Sequence, residues 1–191
     1  TSLMDKVTYS SDTTAAVPGA NLTVARRFLA ATGNSDAGYF GGGYSISNSI
    51  TSLMDKVTYS SDTTAAVPGA NLSVARFGLA ASSARANALP ATELTLFSAP
   101  SSPATRFSDG AVPSPNTGYF GGGGTPSITS LMEKVTYSSD TTAAVPGASL
   151  SLARDDLAAT GNSTHGYFGG GGSPTTSLMD KVTYSSDTTA A

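Results

Sequence analysis

The chain has 191 residues, including 21 Gly, 10 Pro and one His, and it contains neither Cys nor Trp. The missing Cys excludes disulfides, thiol nucleophiles and thiolate metal sites, and a net charge of -3 without a basic run argues against nucleic acid as a partner. No stretch approaches the ~18 apolar residues of a membrane-spanning helix and the N-terminus shows no leader pattern, so we expect no membrane insertion.

A long internal repeat organises the sequence. The segment TSLMDKVTYSSDTTAAVPGANL at residues 1–22 recurs unchanged at 51–72 and with two substitutions at 129–150, and its first sixteen residues return at 176–191. Ser and Thr make up more than a quarter of the chain because this one unit, rich in both, is repeated. Such a unit is too small to bury a core alone, so we expect consecutive units to stack on one another.

The repeat divides the chain into successive units. They are a first unit (1–50), a second unit (51–128), a third unit (129–175) and a partial fourth unit (176–191). The second unit is longer because extra residues occupy about 83–103. These are either a surface-loop insertion, which costs little chain entropy, or part of a degenerate extra unit in which ELTLFS at 93–98 matches KVTYSS at 6–11.

The first half of a unit contains two predicted β-strands. Residues 3–9 are rich in β-branched and aromatic side chains and show no apolar stripe of helical period. The turn-forming sequence SSDTT at 10–14 separates them from a second short strand at 14–17, which Pro18 and Gly19 end.

The second half of a unit contains two more. A third extended run covers residues 22–30 and stops at the turn residues 32–34, and a fourth covers the glycine-rich GYFGGG at 38–43. A helix over residues 73–82 is the weaker alternative, because turn residues flank that segment and no partner helix is predicted elsewhere. The sequence therefore predicts an all-β fold with four short strands in each unit.

The order of these strands resembles that of the kelch family of β-propeller repeats. An aromatic strand ending in a glycine pair, GYFGG (38–42), is followed by the aliphatic strand MDKVTY (54–59), a turn and an outer strand, and SVAR (73–76) opens the next blade. The YFGGG form is also similar, more loosely, to repeats in structural proteins of marine phages and environmental sequences. The resemblance implies four-stranded propeller blades, one for each unit of about 47–50 residues.

The number of units bears on how such blades assemble. Closed kelch propellers commonly contain more blades than the roughly four units that 191 residues hold. We expect either an incomplete ring, as in a fragment of a longer propeller, or blades assembled between protomers, with an open solenoid as a third arrangement. An open end that pairs with the next protomer makes a heterologous contact, which builds rings or filaments.

Two repeated positions carry opposite charges. Acids occupy the first of them at Asp5, Asp55, Glu133 and Asp180, and arginines occupy the second at Arg26, Arg76, Arg106 and Arg154. The acids could form a carboxylate ring around a channel. We favour a structural pair of acid and arginine, or a hydrogen bond to the backbone, repeated in every unit, because active sites rarely repeat identically.

Unrepeated residues offer little chemistry. His165 is expected in a solvated turn, and the adjacent Asp155 and Asp156 would face opposite sides of a strand as surface charges. The glycine run lacks the Lys-Ser/Thr of a phosphate-binding loop. We therefore predict no catalytic, cofactor-binding or metal-binding residue. Three N-x-S/T sequons are candidate glycosylation sites: Asn21, Asn71 and Asn162.

The leading hypothesis is a non-enzymatic structural or adhesive repeat protein of an extracellular assembly or a virion surface. Self-assembly with identical protomers would present many equivalent hydroxyl and Tyr side chains, which suits weak, multivalent contact with a glycan or surface receptor. A kelch-type protein–protein interaction module is one alternative, because the divergent residues 83–103 offer a place for a specific contact. A carbohydrate-active enzyme of propeller fold is another, although no unrepeated acid pair supports it.

Overall fold

The structure is a computed structural model that describes residues 2–84, 116–173 and 175–191. These residues form short antiparallel β-strands and three 3₁₀ turns, and they contain no α-helix. The predicted all-β class is therefore confirmed. The described chain begins with a hairpin of strands β1 (Asp5–Thr8) and β2 (Thr13–Ala16).

Three sheets of four antiparallel strands follow the hairpin, each with its strands in sequence order. Two-residue strands, β3 (Arg26–Arg27) and β6 (Tyr44–Ser45), pair with each other. Sheet I contains β4 (Ala30–Gly33), β5 (Ala37–Gly41), β7 (Met54–Thr58) and β8 (Thr63–Ala66). Sheet II contains β9 (Ala80–Ser83), β10 (Thr117–Gly121), β11 (Met132–Thr136) and β12 (Thr141–Ala144). Sheet III contains β13 (Ala158–Gly161), β14 (His165–Gly169), β15 (Met179–Thr183) and β16 (Thr188–Ala190).

Each sheet combines the end of one sequence unit with the start of the next. Sheet I takes β4 and β5 from the first unit and β7 and β8 from the second. The hairpin of β1 and β2 corresponds to the third and fourth strands of a sheet. The strands predicted at 3–9, 14–17 and 38–43 are confirmed, with ends that differ by one to two residues.

The strand predicted at 22–30 is wrong. Most of this segment is irregular, and the first strand of sheet I lies at Ala30–Gly33 instead. Phe28 has a φ of 55°, and the residues at the same repeat position, Gly78 and Asp156, have 60° and 51°. A left-handed residue therefore interrupts the extended chain just before the first strand of every sheet. The alternative helix over 73–82 is also wrong. Residues 80–82 lie in β9, and the residues before them form no helix.

The three sheets stack in sequence order through their faces. Strand β9 lies between β4 and β13, so the first strands of the sheets are neighbours. One apolar core around Tyr39 and Phe120 joins sheets I and II, and a second around Tyr119 and Phe168 joins sheets II and III. In the part of the chain that the structure describes, this stack is open and forms no closed ring.

Residues 85–115 lie outside the described residues, and the alternatives for about 83–103 therefore stay predictions. On either side of that segment, Ser83 of β9 pairs with Gly118 of β10. The segment thus connects the first and second strands of sheet II, which in sheet I are joined by the short turn at residues 34–36.

Candidate functional site

A buried pair of arginine and carboxylate lies at each of the three sheets, with the carboxylate on the third strand of the sheet. Arg26 Nη2 is 2.8 Å from Asp55 Oδ2, and both side chains are fully buried. Arg26 also donates hydrogen bonds to the carbonyl oxygens of Leu53 and Phe40. The equivalent pairs are Arg76 with Glu133 and Arg154 with Asp180. Because these acids are buried with their arginines, the structural interpretation is confirmed for all three pairs, and the carboxylate ring is wrong for them.

The two remaining members of these charged positions differ from the rest. Asp5 lies on the hairpin and is exposed, and Arg106 lies outside the described residues. Burial lowers the pKa of Arg26 and Arg76, while the paired carboxylates act in the opposite direction. Removal of one partner from such a pair leaves an uncompensated buried charge, at a cost of about 3–5 kcal/mol.

A second set of contacts joins each sheet to the next. At the interface between sheets I and II, Tyr39 stacks on Tyr137 with ring centroids 4.9 Å apart, and its hydroxyl donates to Asp140. Lys56 Nζ lies 2.9 Å from Asp140 Oδ2. The interface between sheets II and III repeats every one of these contacts with Tyr119, Tyr184, Asp187 and Lys134. We call this set of contacts, the tyrosine stack, the tyrosine–aspartate hydrogen bond and the lysine–aspartate ion pair, the joint between two sheets. The same joint occurs at both interfaces.

Burial and these hydrogen bonds shift the pKa values of the groups at the joints. Burial, together with the hydrogen bond to an aspartate, raises the pKa of Tyr39 and of Tyr119. Burial also raises the pKa of Tyr184 to about 12. Partial burial acts to raise the pKa of Asp140, but the hydrogen bonds from Tyr39 and Lys56 outweigh it and lower the pKa.

The outward faces at the two ends of the stack present the two halves of such a joint. The hairpin is attached to sheet I through Lys6, whose Nζ lies 2.6 Å from Asp62 Oδ2. Its other face carries Tyr9, which is 90% exposed, and Asp12, at the repeat positions of Tyr137 and Asp140. We call this the hairpin face.

The outward face of sheet III carries the complementary half. Tyr167 and Lys181 occupy the repeat positions of Tyr39 and Lys56, and they are cross-strand neighbours in the same way. Met179 beside them is 53% exposed. Among the described residues Lys181 forms no ion pair. We call this the sheet III face.

In the described part of the chain, the unrepeated polar residues His165, Asp155 and Asp156 each make separate contacts. His165 begins strand β14 instead of lying in the turn before it, and its Nδ1 is 2.8 Å from Thr164 Oγ1. Asp156 donates its backbone N–H to the carbonyl of Gly78, and Asp155 Oδ1 is buried and has no hydrogen-bond partner among the described residues. The described ranges bring no three His, Asp or Glu side chains within reach of a common metal ion.

The three sequon asparagines occupy two kinds of site. Asn21 and Asn71 are half-buried, and their Oδ1 atoms accept hydrogen bonds from the backbone N–H groups of Met4 and Met54. Asn162 is exposed in the turn between β13 and β14. Glycosylation of these residues stays a prediction, and Asn162 is the most accessible of the three.

A cavity of about 320 Å³ lies where the first strands of the three sheets end. Its lining is made of small residues, hydroxyl groups such as those of Thr32, Ser82 and Thr160, and Tyr59, and no carboxylate lies among the described lining residues. Thr32 and Ser82 are already hydrogen-bonded to the Tyr137 and Tyr184 hydroxyls at 2.8 and 2.7 Å. The cavity wall is therefore part of the packing of the sheets.

At the opposite end of the first strands lies a cluster of unrepeated side chains, which we call the aromatic–arginine cluster. It consists of Arg27, Phe28, Tyr44 and Phe77. The Tyr44 and Phe77 ring centroids are 4.5 Å apart, and Phe28 meets Tyr44 edge-on at 6.5 Å. The Arg27 Cζ atom lies 5.6 Å from the Phe28 centroid and 5.7 Å from the Tyr44 centroid.

The sequence interpretation missed this cluster. It placed specific contact only at residues 83–103, whereas the signal lies in positions where the repeats differ. The position of Arg27 holds Phe77 and Asp155 in the other units, and that of Tyr44 holds Gly124 and Gly172. A position-by-position comparison of the units would have shown this divergence.

No protein-family model matches the chain, and no curated protein matches it. In the ranges covered by the structure, no helix has the length and apolar character needed to cross a membrane.

Proposed function

We propose that the chain is a non-enzymatic structural or adhesive repeat protein, built of kelch-like propeller blades and acting in an extracellular assembly or on a virion surface. It works by self-assembly: the stack of sheets continues from one copy into the next. The observation that carries the proposal is the presence of the two halves of one joint on opposite ends of the stack.

The hairpin face carries the tyrosine and the aspartate that the following sheet contributes to a joint. In the interface between sheets I and II, sheet II contributes Tyr137 and Asp140, which both lie in the segment from its third to its fourth strand. The hairpin of β1 and β2 is the same segment of the repeat and carries Tyr9 and Asp12 at those positions. A hairpin from one copy can therefore make the same tyrosine stack and ion pair on sheet III of another.

The sheet III face supplies the matching groups. Tyr167 is positioned to stack on Tyr9 and to donate to Asp12, and Lys181 is positioned to pair with Asp12. Met179 adds apolar surface, since the equivalent Met54 and Met132 are fully buried at the internal joints. The two faces differ from each other, so the contact is heterologous and propagates into rings or filaments.

A charge swap tests this proposal. Lys181→Asp alone and Asp12→Lys alone each place like charges at the new joint and should reduce the assembled fraction. The double variant Asp12→Lys with Lys181→Asp restores opposite charges and should recover assembly. Light scattering over a range of protein concentrations, followed by electron microscopy, measures the outcome.

The wild-type chain should form species larger than the 19.0 kDa protomer, with rings or filaments in the micrographs. A compact monomer at every concentration would overturn the proposal. Assembly that neither single variant weakens would also overturn it, because the joint would then lie elsewhere.

A further inference from the structure

We propose that the aromatic–arginine cluster binds a sugar that carries a carboxylate group. The inference rests on the proposed adhesive function, since it names the ligand class and the site through which an assembly would hold a glycan surface. It concerns a different part of the molecule from the joints between sheets, so the two proposals fail independently.

The charge of Arg27 is available to a ligand. Among the described residues Arg27 belongs to no ion pair, and its side chain is exposed. Its Nη2 donates one hydrogen bond to Asn48 Oδ1 at 3.0 Å. A guanidinium has five N–H donors, so donors remain for a carboxylate, which arginine binds through two parallel hydrogen bonds.

The guanidinium is held in place before any ligand arrives. It lies within 6 Å of the Phe28 and Tyr44 ring centroids, in the range of a cation–π contact. The hydrogen bond to Asn48 fixes its orientation further. A charged group already positioned loses less conformational entropy on binding, which favours a small ligand with few contacts.

The rings supply the apolar part of the site. Phe28 is 56% exposed, and it lies beside Tyr44, which packs on Phe77. Exposed aromatic faces of this kind match the C–H face of a sugar ring, while the hydroxyls on the rim of that ring require polar neighbours. Ser45 and Asn48 provide such neighbours. Together with Arg27 and Tyr44 they line a hollow of about 170 Å³, which suits one sugar ring, and Phe28 lies next to Tyr44 outside this lining.

The backbone at the cluster is held in an unusual conformation. Phe28 and Asn48 have φ values of 55° and 57°, in the left-handed region that an aromatic residue rarely adopts. Phe28 is kept there by the Gly78 N–H, which donates to the Phe28 carbonyl at 2.9 Å. Gly78 and Asp156 have the same conformation at this repeat position, so it belongs to the fold of each unit. In this case the conformation presents the Phe28 ring to solvent beside Arg27.

Matched variants come from the other units of the chain. Arg27→Asp introduces the residue that stands at Asp155, and Tyr44→Gly introduces the residue at Gly124 and Gly172. The repeat therefore already accommodates both substitutions at these positions. Arg27→Lys keeps the charge but removes the planar fork that binds a carboxylate through two hydrogen bonds.

The probes are sialyllactose, which carries a carboxylate, and lactose, which is its neutral control. Calorimetry and NMR titration should show binding of sialyllactose that is at least about tenfold tighter than that of lactose, as expected for hydrogen bonds between charged groups. Arg27→Asp and Tyr44→Gly should each weaken it about tenfold or more, and Arg27→Lys by less. Amide NMR spectra of the variants establish that the fold is retained.

The titration is repeated with the Lys181→Asp variant, which leaves the cluster intact whether or not the protein assembles. Retained binding in that variant separates the site from the joints. Equal affinity for the two sugars, or an affinity unchanged by Arg27→Asp, would overturn the inference. An acidic peptide that binds the cluster in the absence of any sugar binding would overturn it in favour of a protein partner.

Discussion

Three of the four tyrosines at one repeat position are buried to very different extents. Tyr137 in the joint between sheets I and II is 4% exposed. Tyr59 of sheet I, which is preceded by the two-stranded hairpin instead of a four-stranded sheet, is 46% exposed, and Tyr9 on the hairpin face is 90% exposed. Their surrounding sequences are nearly identical. Burial is therefore decided by the neighbouring sheet and not by the local sequence.

The other side of a sheet shows the same gradient. Phe120 and Phe168 are fully buried because a complete sheet precedes them, whereas Phe40, which is preceded only by the two-stranded hairpin, is half-buried. The core of this protein thus forms at the joints between sheets. A face without a neighbour is an incomplete core, which explains why large apolar and aromatic groups remain exposed at the ends of the stack.

The largest difference between equivalent residues is expected for the repeated acids. Glu133→Ala leaves Arg76 buried without its partner and should lower the free energy of unfolding by about 3–5 kcal/mol. Asp5→Ala removes the acid at the same repeat position on the exposed hairpin and should change it by less than about 0.5 kcal/mol. Urea unfolding curves of the two variants measure both values. Similar decreases in the free energy of unfolding would contradict the view that a neighbouring sheet decides what the acid contributes.

A smaller difference is expected for the tyrosine hydroxyls. Tyr39→Phe removes the hydrogen bond to Asp140 in an internal joint and should cost about 1.5–3 kcal/mol, as for hydrogen bonds to charged groups. Tyr167→Phe changes the equivalent residue of the sheet III face and should cost close to nothing under dilute conditions that favour single copies. Thermal unfolding of both variants at low concentration distinguishes them. Equal shifts in Tm would contradict a stabilising role of the Tyr39 hydroxyl in the internal joint.

The smallest effect concerns pH. The folded pKa of Asp140 lies below its ordinary value of 3.8, so its contacts contribute stability above that value. That contribution is lost as the pH falls through the folded pKa. Asp140→Asn should therefore be less stable than the wild type at pH 7, and the gap should close below pH 3.8. Unfolding measured at both pH values tests this, and a gap that does not depend on pH would exclude ionised Asp140 as its cause.

Much of this architecture could be predicted because the sequence repeats: strands assigned in one copy of the repeat also apply to the other copies. The strands at 3–9 and 14–17 follow from β-branched residues bounded by turn formers, and the pairing of Arg76 with Glu133 follows from the recurrence of both positions. The strand at 22–30 failed because the backbone is interrupted by a left-handed residue. Gly78 and Asp156 tolerate that conformation, but Phe28 at the same position hides the signal.

The candidate site could not be found by the same reasoning. Arg27 and Tyr44 are distant in sequence and meet only because β3 pairs with β6, a contact of two residues that no sequence pattern predicts. Repetition also directs attention to residues that recur, whereas this cluster is made of residues that do not. Comparing the units for their differences is the step that sequence reasoning lacked.

In the proposed assembly, the hairpin face of one copy and the sheet III face of the next are the two halves of one joint. Because the chain has no Cys, a double variant with Asp12→Cys and Lys181→Cys can be joined specifically by a short bismaleimide. We predict a ladder of cross-linked dimers, trimers and higher species for the double variant, and no species beyond the dimer for either single variant. A double variant that yields no more than the single variants would contradict the claim.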